Sequence, residues 1–455
     1  MLIEQITLYH TNDIHSSFDH WAQIVGHVKK HRNESTLFLE LGDHTDRCHS
    51  MTEATEGKGN VALLNEAGVD YATIGNNEGI TFSKAQLEQL YEQARFPVIV
   101  ANLFERDRTR PQWVKPYAIH AFASGLRVGL IGWTAPFTHL YEQLGWSMDS
   151  TFEPLRDLVE EVRQQVDVVI LMSHLGLFRD EEIAETIEGI DVIVGSHSHH
   201  LLEKGKRVYG TLITQVGKQG KYLGEINLAF DFHRKRVVES EARIWDATQL
   251  TADRATEQLL ARLDEEARVS LAEVVSHLPM TMPVLWQQET ELTQLLCSAL
   301  AEWCNKEIAM LNAGVLLNSL EQGPITKGDI HRTCPHPINP CIVNLTGRQL
   351  REAIIRSFTR ELRTLKLKGF GFRGKILGRM IFTGIEVSLN REEQVEAIYI
   401  LGEPLQEERV YELATLDMYT FGHLYPSIYE AEEKIYFMPE LLRDILAWKL
   451  AQNWP

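Results

Sequence analysis

The chain has no run of about 18 apolar residues, which excludes a membrane-spanning helix of ordinary length. Cysteine is scarce and odd in number, five in 455 residues, too few for the disulfide framework of a small secreted domain. Cys297 and Cys304 are seven apart on a predicted helix and read as two turns of a core face. Cys334 and Cys341 are spaced too widely for a zinc pair. Positive charge is in deficit: 45 Lys and Arg against 63 Asp and Glu leave a net charge of −18, which repels phosphate backbones and anionic headgroups. Neither nucleic acid nor a membrane is expected as a partner. The opening Met1 Leu2 Ile3 Glu4 runs directly into a strand pattern, without a basic region and apolar stretch before a cleavage site, so the expected location is the cytoplasm. Internal repeats and low-complexity tracts are missing as well.

What is present is a chain that is 44% hydrophobic and long enough for at least two cores. Residues 1–245 alternate short apolar strands with polar or helical stretches, which predicts an α/β domain. The predicted strands cover Ile6 to His10, Leu37 to Leu41, Tyr71 to Ile74, Val98 to Val100, Val128 to Ile131, Val168 to Met172 and Val192 to Val194. A charged, glycine-free stretch from about Thr251 to Val275 predicts a linker helix within residues 246–280. Residues 281–455 form a second predicted domain, with helices around Glu291 to Asn305 and Arg348 to Leu365, and strands around Gly384 to Leu389 and Val395 to Ile400.

Five strands of the first domain each run into residues that bind hard or borderline metals. The first leads to Asp13 Ile14 His15, the second to Asp43 and the third to Asn76. His174 and the run His197 Ser198 His199 follow the last two. Sites in α/β sheets form beyond the carboxyl ends of strands, so these positions can converge across almost 190 residues of sequence. Any one of them alone is commonplace. Together, two carboxylates, one amide oxygen and four imidazoles make seven ligands, too many for one four-coordinate ion and suited to two ions bridged by Asp43. Imidazole and carboxylate without thiolate suit Mn, Zn, Fe or Co.

This pattern resembles the calcineurin-like metallophosphoesterases, and its order and spacing are most similar to the 5'-nucleotidase family. The resemblance covers nearly the whole chain. It implies a four-layer αββα metal domain followed by a separate α/β (α+β) substrate-binding domain. Carried over by motif, Asp13, His15, Asp43 and His199 would hold one ion, and Asp43, Asn76, His174 and His197 the other. A water bridging two such cations becomes hydroxide near neutral pH and attacks phosphorus in line.

The chain departs from the family at several places. Relatives read Gly-Asn-His-Glu with an Asp two residues on, the His assisting the leaving oxygen; here the stretch is Gly75 Asn76 Asn77 Glu78 Gly79 Ile80. An amide such as Asn77 can donate to a phosphoryl oxygen but cannot deliver a proton. General-acid help is worth roughly 10²- to 10⁴-fold, about 3 to 5 kcal/mol, so the metals can still drive turnover, best with good leaving groups. His44 and His49, in the loop after Asp43, are candidate replacements or plain loop residues. In the second domain, the family's Asn-x-Gly-Gly-Ile-Arg becomes Asn312 Ala313 Gly314 Val315 Leu316 Leu317, without the arginine. The Gly-Gly-Asp-Gly-Tyr-Pro loop becomes Phe421 Gly422 His423 Leu424 Tyr425 Pro426. These changes weigh against purine recognition by the usual aromatic sandwich. Asn312 remains a candidate substrate contact; Phe370, Phe372 and Arg373, in a glycine-rich loop, offer stacking and charge or form a plain surface turn, and Tyr419 with Phe421 a second stacking surface or core. The expected activity is phosphate release from a nucleotide or nucleotide-derived small molecule, with Asp43, His174 and Asn77 in catalysis. The rival is a binding protein that keeps metals and ligand affinity without turnover, which Asn77, Ile80 and Leu317 favour.

Overall fold

A computed structural model describes residues 3–367, 369–392, 394–422 and 424–454; Met1, Leu2 and His423, named above, lie outside the described residues. Two compact units comprise Met1–Ala267 and Arg268–Pro455.

The first unit is built on two sheets. The seven-stranded sheet runs in the order Arg236–Asp246, Tyr222–Asp231, Ile3–Thr11, Thr36–Glu40, Tyr71–Ala72, Val98–Ile99 and Val114–Lys115. From Ile3–Thr11 onward its neighbours are parallel. The six-stranded sheet runs Lys206–Val208, Thr211–Thr214, Val192–Val194, Val168–His174, Arg127–Thr134 and Tyr117–Ala121, with the inner four parallel.

Period-two alternation explains the layering, because successive strand residues face opposite ways. Ile6, Leu8, Leu37 and Leu39 of one sheet meet Val128, Leu130, Val168, Ile170 and Met172 of the other in a core between the sheets. The alternate residues Val169, Leu171 and Ile193 turn outward onto Leu155, Val159 and Val162 of helix Glu153–Arg163 and onto Ile183 of helix Leu177–Thr186. On the opposite outer face, Phe38 stacks on Trp21 of helix Trp21–His31 at 6.5 Å. The result is the expected four-layer αββα sandwich.

The predicted linker helix is shorter than its sequence pattern, spanning Arg254–Ser270. Residues 274–275 belong instead to strand Val274–Leu278, paired with Gly323–Thr326, where the adjacent β-branched Val274 and Val275 are at home. The second unit has a five-stranded sheet ordered Met380–Thr383, Ile308–Asn312, Val410–Leu416, Pro340–Thr346 and Lys434–Tyr436. Helices Glu291–Trp303 and Leu442–Asn453 pack together, with Trp303 edge-on to Trp448 at 5.2 Å. The predicted helix from Arg348 to Leu365 is broken into Gly347–Ser357 and Arg360–Thr364.

Candidate metal centre

Parallel register brings the predicted metal-binding positions together. Pairing of Thr11 with Glu40, of Glu40 with Ala72 and of Met172 with Val194 leaves the carboxyl ends of these strands level, so the loops beyond them converge. In those loops Asp13, His15, Asp43, His197 and His199 all take the left-handed backbone conformation, with φ of 52°, 50°, 53°, 70° and 58°. Each such non-glycine residue costs roughly 1–2 kcal/mol and persists because its surroundings hold it. Here Asp13 N–H donates to Gly42 O at 3.1 Å and His15 N–H to Asp43 O at 2.8 Å. Gly42 and Gly75 must lack side chains: a Cβ on Gly42 would lie 2.3 Å from Gly75 N, and one on Gly75 2.1 Å from Asp43 Oδ1.

The donor atoms form two overlapping groups, Asp13 with His15 and His199, and Asp13 with Asp43 and His174, each within 4.8 Å. Asp13 Oδ1 is 3.4 Å from His199 Nε2 and 3.8 Å from His15 Nε2. Asp13 belongs to both groups, and Asp43 lies between their imidazoles, with Oδ1 3.5 Å from His174 Nε2 and Oδ2 3.8 Å from His15 Nε2. The His197 ring lies 5.2 Å from that of His174. Asn76 Oδ1 and His174 Nε2 are buried without hydrogen-bond partners. Such orphaned atoms are costly unless something binds them, and they fit a divalent cation. His174 Nδ1 stands 2.7 Å from Leu41 O, which can only accept, so the ring donates there and turns Nε2 toward the other donor atoms.

Burial alone would push the Asp43 carboxyl up, but the facing His174 and His15 and the Asn77 N–H outweigh it and hold it well below the usual carboxylate range. The same pairing works in reverse on His174: burial pulls its pKa down, yet the Asp43 and Asp13 carboxylates raise it to about 10.

Sequence reasoning missed what holds the loops in place. The Glu78 carboxylate accepts four hydrogen bonds, from Asp43 N, Thr45 N and Thr45 Oγ1 and from Gly75 N, at 2.8 to 2.9 Å. It thereby ties the loop after the second strand to the loop after the third. Asn12 does the same for Asp13, donating to its Oδ2 at 2.7 Å and to Gly217 O at 2.8 Å. Their adjacency to the ligands was the available signal. His44 is buried against Trp21 at 4.9 Å, and burial lowers its pKa to about 3. His49 caps helix Ser50–Ala54 by accepting from Met51 N. His49 is thus engaged as a cap, whereas His44 Nε2 is buried without a hydrogen-bond partner.

The second-unit candidates divide. Asn312 and Tyr419 are 1% and 0% exposed and bonded to each other, Tyr419 Oη donating to Asn312 Oδ1 at 2.6 Å and accepting from Asn312 N at 3.0 Å. Phe372 is buried and stacked on His336 at 5.1 Å. These three were expected to meet substrate, but in this structure they are core, because their faces and polar atoms are already used. Phe370 is 46% exposed, with its ring edge over Gly422. Phe421 is half-buried and stacked on Tyr436 at 6.2 Å, and Arg373 is half-buried, its N–H donating to His336 Nδ1 at 2.9 Å.

The layered fold and the strand-end donor cluster define a metal-dependent hydrolase of phosphoesters, and comparison with known proteins agrees. The family model for calcineurin-like phosphoesterases matches residues 6–201, and that for the 5'-nucleotidase C-terminal domain matches residues 271–424. The chain is 43% identical to the uncharacterized metallophosphoesterase YunD of Bacillus subtilis (strain 168), over 99% of this chain and all of that one. Among solved structures it is similar to the NAD nucleotidase NadN of Haemophilus influenzae, with a TM-score of 0.68 at 15% identity over 100% of this chain and 96% of the other. A 5'-nucleotidase precursor of Thermus thermophilus superposes with a TM-score of 0.61 at 19% identity over 99% of this chain and 97% of the other. The chain belongs to the metallophosphoesterases of the 5'-nucleotidase family. Among the described residues no helix is long and apolar enough to cross a membrane.

Proposed function

We propose that the protein binds two divalent ions, of Mn, Zn, Fe or Co, and releases phosphate from a nucleotide or nucleotide-derived small molecule. The observation that carries this reading is the convergence of Asp13, His15, Asp43, His174 and His199 in two overlapping donor groups held by strained loops. Asp13, His15, Asp43 and His199 are assigned to one ion, and Asp43, Asn76, His174 and His197 to the other. Bound there, the ions would supply an activated water and neutralise the charge of the phosphoryl oxygens. The chain's own part is orientation: Asp43 offers one carboxylate oxygen to each side, and Glu78 fixes the backbone that presents it. No imidazole stands at Asn77 to protonate the leaving oxygen, which favours pyrophosphates and aryl phosphates over alkyl esters. The match to a 5'-nucleotidase C-terminal domain supports a nucleotide, with Phe370, Phe421 and Arg373 as its contacts. Five free thiols support a cytoplasmic location.

Asn77, Ile80 and Leu317 favour a second reading, a metal and ligand binder without turnover. Phosphate release with Mn²⁺ or Zn²⁺, over a panel of mono- and diphosphate esters, separates the two. Turnover that vanishes in Asp43→Ala supports the hydrolase; no release above that control from any ester leaves the binder.

A further inference from the structure

His15 Nε2 is the atom that faces Asp13, Asp43 and His199, at 3.8, 3.8 and 3.2 Å. Its other nitrogen, Nδ1, lies 2.7 Å from the side-chain nitrogen of Asn77 and 3.7 Å from Asp46 Oδ2. An amide nitrogen only donates, so in that orientation Nδ1 accepts and the neutral ring carries its proton on Nε2, where a lone pair is needed for a cation. Half a turn of the Asn77 amide exchanges nitrogen and oxygen with the same fit, since the two are nearly identical in size. The oxygen then accepts from Nδ1–H, and Nε2 presents its lone pair. His174 already shows this arrangement, with Nδ1 2.7 Å from Leu41 O.

Asn77 is built to hold this place. It is 5% exposed, its N–H donates to Asp43 Oδ1 at 2.8 Å, and its carbonyl accepts from Thr81 Oγ1 at 2.6 Å. The side chain is thus aimed at His15 by the helix start that also orients Asp43. We propose that Asn77 is a positioning residue, whose side-chain oxygen accepts the Nδ1 proton of His15 and fixes the tautomer that turns Nε2 toward the cations. The role rests on the metal-binding reading above. It differs from a contact to substrate, because it acts before any substrate arrives.

Calorimetric titration of Mn²⁺ into chelator-stripped full-length protein tests it. Asn77→Ala should weaken one of the binding steps roughly 10- to 100-fold. Asn77→Asp, whose carboxylate can only accept, should keep that step within a few-fold of wild type. An Asn77→Ala titration that matches wild type overturns the proposal, as does an Asn77→Asp variant as weak as Asn77→Ala. It also fails if Asp46→Asn, and not Asn77→Ala, weakens binding. Wild-type protein needs no variant for a second measurement: ring nitrogen correlations by NMR in the Zn²⁺-loaded enzyme should show the His15 proton on Nδ1. A proton on Nε2 contradicts the assignment. If wild type binds no ion, the metal-centre reading falls too; if it binds normally without regard to Asn77, only this inference falls.

Discussion

The two units carry opposite kinds of sequence signal. In the first, the candidate site residues sit at strand ends, five of them in the left-handed conformation, and Asn76 Oδ1 and His174 Nε2 are buried without partners. In the second, three of the six substrate candidates, Asn312, Phe372 and Tyr419, are sealed in the core, and Phe370 alone presents a largely exposed ring. Metal chemistry needs particular atoms at short range, so it is written in residue identity. Recognition of a flat, polar ligand can be met by many surfaces and leaves a weaker mark.

Experiments can break or sharpen this contrast. The largest effect should come from Asp43→Ala, which removes the carboxylate that faces both His174 and His15; kcat/KM should fall about 10⁴-fold, or about 5 kcal/mol of barrier. A modest fall, measured over matched metal loading, would mean that the donor cluster is not the reactive centre.

Next is Glu78→Gln. It replaces an acceptor of four hydrogen bonds by a group that can accept only part of them, and should cost about 3 to 5 kcal/mol in denaturant unfolding of the first unit. An unchanged unfolding midpoint would remove the clamp from the account.

In the second unit, burial pushes the Asp417 carboxyl up to about 8, and its Oδ1 has no hydrogen-bond partner. A carboxyl with a raised folded pKa contributes stability below its unfolded value near 4, and that contribution is lost as pH rises through about 8. Wild type should therefore weaken between pH 5 and pH 9, and Asp417→Asn should flatten that slope, being more stable at pH 9 by on the order of 3 kcal/mol. Parallel pH profiles for the two proteins would contradict the buried acid.

The smallest effects separate core from surface. Tyr419→Phe leaves the Asn312 N–H and side-chain oxygen without their partner and should cost about 1 to 3 kcal/mol of stability. Phe370→Ala should change stability by less than about 0.5 kcal/mol while raising KM severalfold for a nucleotide substrate. Reversal of these two outcomes would exchange their roles.

Much of the fold was legible because apolar strands with period-two alternation are local patterns. Strands such as Val168–His174, buried along their whole length, announce themselves. Arg236–Asp246 does not, because it is a polar edge strand, mostly exposed, whose pairing with Tyr222–Asp231 is a property of its neighbour. The overrun of the helix beyond Ser270 has a similar cause, since pairing with Gly323–Thr326 captures Val274–Leu278. Asp13, His15, Asp43 and His174 could be singled out as candidates because their strand-end positions recur as a set. Glu78 stands two residues after Asn76, and that adjacency was its one sign; the four donors that reach it from two loops are a product of tertiary packing. Aromatics were the hardest: Phe370 and Phe372 are two residues apart in one loop, yet Phe372 joins the core and stacks on His336 while Phe370 stays exposed.

The central claim is best tested by counting ions. Metal analysis of full-length protein equilibrated with Mn²⁺ and freed of unbound ion should find two per chain in wild type and fewer in Asp43→Ala. One ion or none in wild type, across Mn²⁺, Zn²⁺, Fe²⁺ and Co²⁺, would contradict the account.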